Sequence, residues 1–182
     1  METLEPTFDP PLEDAIDEGP LSELPPEEWR VTIEDALAKA AFKVILPNHP
    51  SASRDNVETV YLTPDKTLVL MQFPRPEAPD EPVRREHLEV AEEVWQYSSE
   101  PEKVWEESIE NAPLPAKSLY TIDGVVALGV QAHSSKDATS SAFLQFGLNG
   151  LDVQISGGES LDLLIEIARS MISQAPKIAV SP

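Results

Sequence analysis

Asp123-Gly124 and Asn149-Gly150 each interrupt a run of alternating apolar residues. A two-residue type I′ hairpin turn demands positive φ at both central positions, and these are the dipeptides that tolerate it. Leu119 to Ile122 is therefore expected to pair with Val125 to Val130, and Ala142 to Leu148 with Leu151 to Ile155. His133 to Ser141 reads as a polar connection, and Gly157-Gly158 closes the last strand. A third hairpin precedes them. Val57 to Thr63 alternates, Pro64-Asp65-Lys66-Thr67 supplies turn chemistry, and Leu68 to Phe73 returns as a strand apolar enough to be buried on both faces. Three hairpins imply an antiparallel sheet.

The remaining periodic segments read mostly as helices. Thr32 is a candidate N-cap, after which Ile33, Ala36, Leu37, Ala40 and Ala41 share a face. Phe42 to Leu46 is strand-like and Pro47 stops it; residues 48–56 read as a loop. From Val83 the spacing of Leu88, Ala91, Val94 and Trp95 is helical. Ser99-Glu100-Pro101-Glu102 resembles a further helix start, with Val104, Trp105 and Ile109 on its buried side. Ser160 caps the strongest helix, with Leu161, Leu164, Ile165, Ala168 and Ile172 in one stripe and Pro176 at its exit. The fold class expected is α+β: an antiparallel sheet built from hairpins, with helices packed on one face.

Charge divides the 182 residues unevenly. Residues 1–30 carry ten acids and one base, residues 77–110 twelve acids and three bases, and everything else sums to only −2 of the total −20. Six of the eighteen prolines also fall in residues 1–30. Such a segment buries too little apolar surface to offset its ordering entropy, so it reads as a disordered acidic tail or linker. The expected organisation is that tail, one α+β domain over 31–175 with an acidic helical insert at about 77–112, and a loose end over 176–182. The acidic balance argues against nucleic acid and against anionic lipid. No apolar run reaches the roughly 20 residues of a membrane-spanning helix. The absence of cysteine excludes disulfides, thiolate metal sites and a cysteine nucleophile.

Chemistry-bearing residue types are present without a motif to organise them. His49 lies in a proline-flanked loop, His87 on the polar side of the expected acidic helix, and His133 at a strand end beside Ser134 and Ser135. None belongs to a nucleophile elbow or a zinc helix. Glu92-Glu93 and Glu106-Glu107 are neighbours about 100° apart on a helix and form no dyad. Glu89 with Glu93, and Glu106 with Glu110, share helix faces and read as solvated. Asp14, Asp17 and Glu18 before Gly19 lack calcium-loop spacing. Gly157-Gly158 precedes Glu159, which would repel a phosphate. Trp95 and Trp105 read as core, whereas Trp29 could anchor the tail or meet a partner. No catalytic, cofactor-binding or metal-binding residue is assigned, and no cofactor.

Thr32 to Ala36 leading into Phe42 to Pro47, Tyr61-Leu62, Tyr120 to Val125, and Phe146 to Ser156 followed by the Ser160 to Ala168 helix resemble a bacterial domain-of-unknown-function family. That family occurs in extracytoplasmic parts of anti-sigma-factor-like and lipoprotein-like envelope proteins. The resemblance spans about Thr32 to Ile172. It departs after Pro47, where Asn48 to Ala52 replaces a Pro-Glu-Gly-Tyr-like turn, and in the length of the acidic insert. It implies a non-enzymatic sensory or binding module of the cell envelope, with a signal or anchor upstream and residues 1–30 as linker.

The first functional reading is thus a non-catalytic binding or scaffold domain, presenting a sheet face or edge to a protein partner, a peptide or a lipid. The alternative is a cytosolic acidic adaptor, chaperone or inhibitor engaging a basic surface through residues 77–110. A hydrolase built on His133 or His49 is a third. Oligomeric state is left open, and hairpin order alone does not say which strands form the edges.

Overall fold

A computed structural model describes residues 25–74, 87–96, 100–111, 117–131, 133–134, 139–158 and 160–175. Residues 1–24 of the expected 1–30 tail, residues 75–86, the Ser99 cap and the expected loose end over 176–182 lie outside the described residues, whereas residues 25–30 of that tail include a 3-10 turn at Glu27–Trp29 and the start of the first strand.

The strands are β1 (Arg30–Val31), β2 (Asn48–His49), β3 (Ala52–Ser53), β4 (Thr59–Leu62), β5 (Leu68–Pro74), β6 (His87–Val94), β7 (Lys117–Ile122), β8 (Val125–Val130), β9 (His133–Ser134), β10 (Thr139–Ser140), β11 (Ala142–Leu148) and β12 (Leu151–Gly158). The helices are α1 (Ile33–Lys39), α2 (Pro101–Asn111) and α3 (Leu161–Gln174). Among the described residues one eight-stranded sheet runs β1-β4-β5-β6-β12-β11-β8-β7, and β2-β3 and β10-β9 form two small ladders. Every ladder is antiparallel, which bears out the α+β class. The edges are β1, only two residues long, and β7, which is six.

The turn chemistry is as the sequence dictates. Asp123 and Gly124 have φ of 49° and 88°, and Asn149 and Gly150 have φ of 53° and 80°. In the β4–β5 turn Asp65 accepts from the Thr63 hydroxyl at 2.6 Å and from the Thr67 N–H at 3.2 Å, with Lys66 at φ 65°. The helix caps also hold. Thr32 Oγ1 accepts from the Asp35 N–H at 3.1 Å, and Ser160 Oγ from the Leu163 N–H at 3.3 Å.

Register sorts the side chains onto two faces. On the first, Leu62, Val69, Glu92, Val153, Phe146, Ala127 and Tyr120 form one row across the sheet, and Val60, Met71, Val90, Ile155 and Leu144 form the next. This face carries the main core. Helix α3 packs on it: a Cβ on Gly129, the partner of Leu144, would lie 3.1 Å from Leu161. Leu161, Leu164, Ile167, Ala168 and Met171 are its buried residues, so the helix is rotated slightly from the expected stripe, leaving Ile165 and Ile172 half-buried. Helix α1 packs against β4 with Ala36 in the same core, while Leu37 is exposed. The terminal helices therefore share a face, as expected. Helix α2 lies on the other one: a Cβ on Gly147, three residues from Leu144 and hence opposite, would sit 2.4 Å from Pro101 Cγ.

Several segments differ from the sequence reading: α2 lies on the face opposite the terminal helices, β1 takes up the end of the expected tail, and residues 48–56 and 133–141, read as loops, carry the β2–β3 and β10–β9 ladders. The segment expected as a helix from Val83, within the supposed helical insert, contains β6, a central strand paired to β5 over His87–Glu93 and to β12 over Glu89–Val94. Leu88, Val90 and Glu92 enter the first face and Glu89, Ala91 and Glu93 the second, a period of two that a buried glutamate disguises. Phe42 to Leu46 forms no strand. The Ile45 N–H instead donates to the Glu92 carboxylate, and the Gln174 amide donates to the Leu46 carbonyl at 3.0 Å, so side chains replace a ladder there.

Candidate functional site

The second face is built in three parts along a single row that crosses all eight strands: Arg30, Tyr61, Leu70, Ala91, Gln154, Gln145, Leu128 and Leu119. At the β4–β5–β6 end, Tyr61, Leu70 and Ala91 are buried with Trp29 and Leu68 packed on them. Trp29 thus anchors the segment before β1 to the sheet. At the other end α2 lies against β7 and β8. Its Trp105 is buried, meeting Trp95 edge-on with ring centroids 6.2 Å apart and planes at 87°. Trp105 is a core residue, as expected, and Trp95 packs half-buried against the same core from the end of a strand, not from the expected helix.

Between these apolar ends runs a polar strip. The Gln72 amide donates to Glu89 at 2.9 Å. The Gln145 amide donates to both Asp152 oxygens at 2.8 and 3.0 Å, and the Gln154 amide to one of them at 3.2 Å. Burial nevertheless raises the Asp152 carboxyl above its usual range, against the pull of these amides. Glu93 is the direct cross-strand partner of Asp152. Burial, then the Asp152 and Asp65 charges, push it up as well.

Glu89 and Glu93, expected on a solvated helix face, lie instead on the second face of the sheet with Glu89 buried, and Glu92 is fully buried on the first face. Its strand partners are Val69 and Val153. The Ile45 N–H lies 3.0 and 3.2 Å from its two oxygens, and among the described residues no cationic group offsets the burial. Desolvation drives its pKa to about 8, with the Ile45 bond opposing. Nothing in the spacing of Glu92 separates it from Glu89 or Glu93; only the period-two reading of β6 would have found it.

The histidines are dispersed. His49 Nδ1 accepts from the Ser51 N–H at 3.1 Å in the β2–β3 turn, and its Nε2 lies 3.4 Å from Glu166 on α3. His87 Nδ1 lies 3.3 Å from a Glu58 oxygen, close but without hydrogen-bond geometry. His133 begins β9. Among the described residues no three His, Asp or Glu side chains are grouped to hold a metal ion. Glu106 and Glu107 are exposed on α2. Gly157, at φ 88°, sits where a Cβ would be 2.2 Å from the His87 carbonyl oxygen, in a β-bulge that pairs Ala142 with Gly158 but Phe143 with Ser156. The double glycine is therefore a close backbone approach within β12.

The longer edge of the eight-stranded sheet is β7. A type I′ two-residue turn is closed by a hydrogen-bonded pair, here Ile122 and Val125. The same parity bonds Tyr120 to Ala127 and Ser118 to Gly129, and it turns the N–H and C=O groups of Lys117, Leu119 and Thr121 away from β8. Among the described residues no strand lies beyond β7. Leu119, on the second face beside α2, is one of two large apolar side chains that stay exposed among the described residues.

No family model, curated protein or solved structure matches this chain. No described helix is long and apolar enough to cross a membrane.

Proposed function

We propose that this protein is a non-catalytic binding module that captures an extended segment of a partner protein by strand addition at β7. The observation that carries the reading is a six-residue outer strand whose alternate backbone groups face outward beside an exposed leucine. Such an edge is a template for a further strand, with backbone hydrogen bonds supplying affinity and alternate side chains supplying selectivity. The buried polar groups favour a structural rather than a chemical role for the interior. Gln72, Glu89 and Asp152 bond within the sheet, and Glu92 bonds to the Ile45 backbone. An extracytoplasmic, cell-envelope setting remains part of this proposal on the sequence resemblance alone, and fractionation of cells expressing the native gene tests it.

Selection of binders from a displayed library of random decapeptides tests the mode of recognition. Selected peptides are expected to lose binding when Leu119 is replaced by proline, which deletes an outward-facing N–H without touching the β7–β8 ladder. Binders indifferent to Leu119→Pro would contradict strand addition at this edge.

A further inference from the structure

The proposal of strand addition says where a partner lies; the charge around the edge says what it carries. We infer that the partner strand is basic, with lysine or arginine at the alternate positions that fall on the second face of the sheet. This inference rests on the β7 edge reading and adds to it the chemistry of the occupant.

Three observations support it. Strand addition beside β7 would place every second side chain of the newcomer on the face of Lys117, Leu119 and Thr121, the face that α2 covers. Helix α2 exposes Glu102, Glu106 and Glu107 against the single Lys103, and the β7 strand itself contains no acid. A long basic side chain satisfies both features at once, because its methylene stem can lie on the exposed Leu119 while its charged head stays in water near the acids. The net charge of −20 acts in the same direction at longer range, drawing basic segments in and repelling acidic ones. It also disfavours the most obvious competitor for an open edge, a second copy of this chain, since two bodies of −20 would have to be brought together.

A strand of about six residues is enough to span β7, so short synthetic peptides test the inference on the full-length protein. The probes are three decapeptides that alternate valine with lysine, with serine or with glutamate. The Lys/Val peptide is expected to bind at low salt and to weaken about tenfold or more between roughly 20 and 200 mM salt, as screening shortens the reach of the acids. The Glu/Val peptide is expected not to bind. The double variant Glu102→Lys, Glu106→Lys should weaken the Lys/Val peptide about tenfold and leave the Ser/Val peptide unchanged. Leu119→Pro, and independently Thr121→Pro, should abolish Lys/Val binding, each variant being checked for native circular dichroism. Failure of the Lys/Val peptide to bind, or equal binding of the Lys/Val and Ser/Val peptides at both salt concentrations, would overturn the inference and leave the edge reading standing. Lys/Val binding that survives both proline variants would overturn the edge reading itself.

Discussion

Glu92 is the residue whose environment departs furthest from its chemistry. A carboxyl at zero exposure, between Val69 and Val153 and with one backbone N–H as donor, is far easier to bury neutral than charged. Its folded pKa of about 8 stands above the ordinary 4.5, so the unfolded chain releases this proton first as pH rises. The contribution of Glu92 to stability is therefore complete below about pH 4.5 and declines as pH rises towards about 8. At pH 7 the decline amounts to roughly 3 kcal/mol. Glu92→Gln keeps an acceptor for the Ile45 N–H and cannot ionise. Urea unfolding at pH 5 and pH 8 should show a smaller loss of stability with rising pH in the variant than in the parent. Equal losses in both would show that Glu92 does not ionise from a buried state. Glu93 and Asp152, also raised, add a dependence of the same sign, so the variant should flatten the pH profile without levelling it.

At the scale of elements, the hairpins, the caps and α3 were legible because each rests on local physics. Asp123-Gly124 and Asn149-Gly150 can reach positive φ, and Thr32 and Ser160 can accept from a helix N–H. Strand β6 was not legible. Leu88, Ala91 and Val94 mimic a helical stripe, and the true alternation is broken by Glu92 on the apolar side. What makes this segment a strand is non-local: β5 pairs with it on one side and β12 on the other. Strand β1 escaped for a similar reason, since two residues carry no pattern and only the pairing of Arg30 with Tyr61 and of Val31 with Val60 defines it. Helix α2 was foreseen, but its position on the second face depends on Gly147 leaving room for Pro101. Trp105 is its main attachment, nearly fully buried and edge-on to Trp95. Trp105→Ala should cost about 3–5 kcal/mol in urea unfolding, in line with large-to-small changes at buried aromatics. A cost below about 1 kcal/mol would mean that α2 contributes little to the fold.

For the whole molecule, both faces of the sheet are covered, the first by α1 against β4 and α3 against β11 and β12, the second at its two ends by Trp29 and α2. A central polar strip separates the two apolar ends of the second face. The candidate site follows from this arrangement. Strand β1 is short, so β7 is the long edge, and that order could not be read from hairpins that fix only neighbouring strands. The charge distribution, by contrast, was plain in the sequence, and the fold sets part of it on α2 beside that edge. Residue-resolved amide hydrogen exchange of the free protein tests the central claim most directly. An open edge predicts alternation along β7, with the N–H groups of Lys117, Leu119 and Thr121 exchanging fast and those of Ser118, Tyr120 and Ile122 protected by β8. Uniform protection of all six would show that the edge is already covered, and would contradict strand addition there.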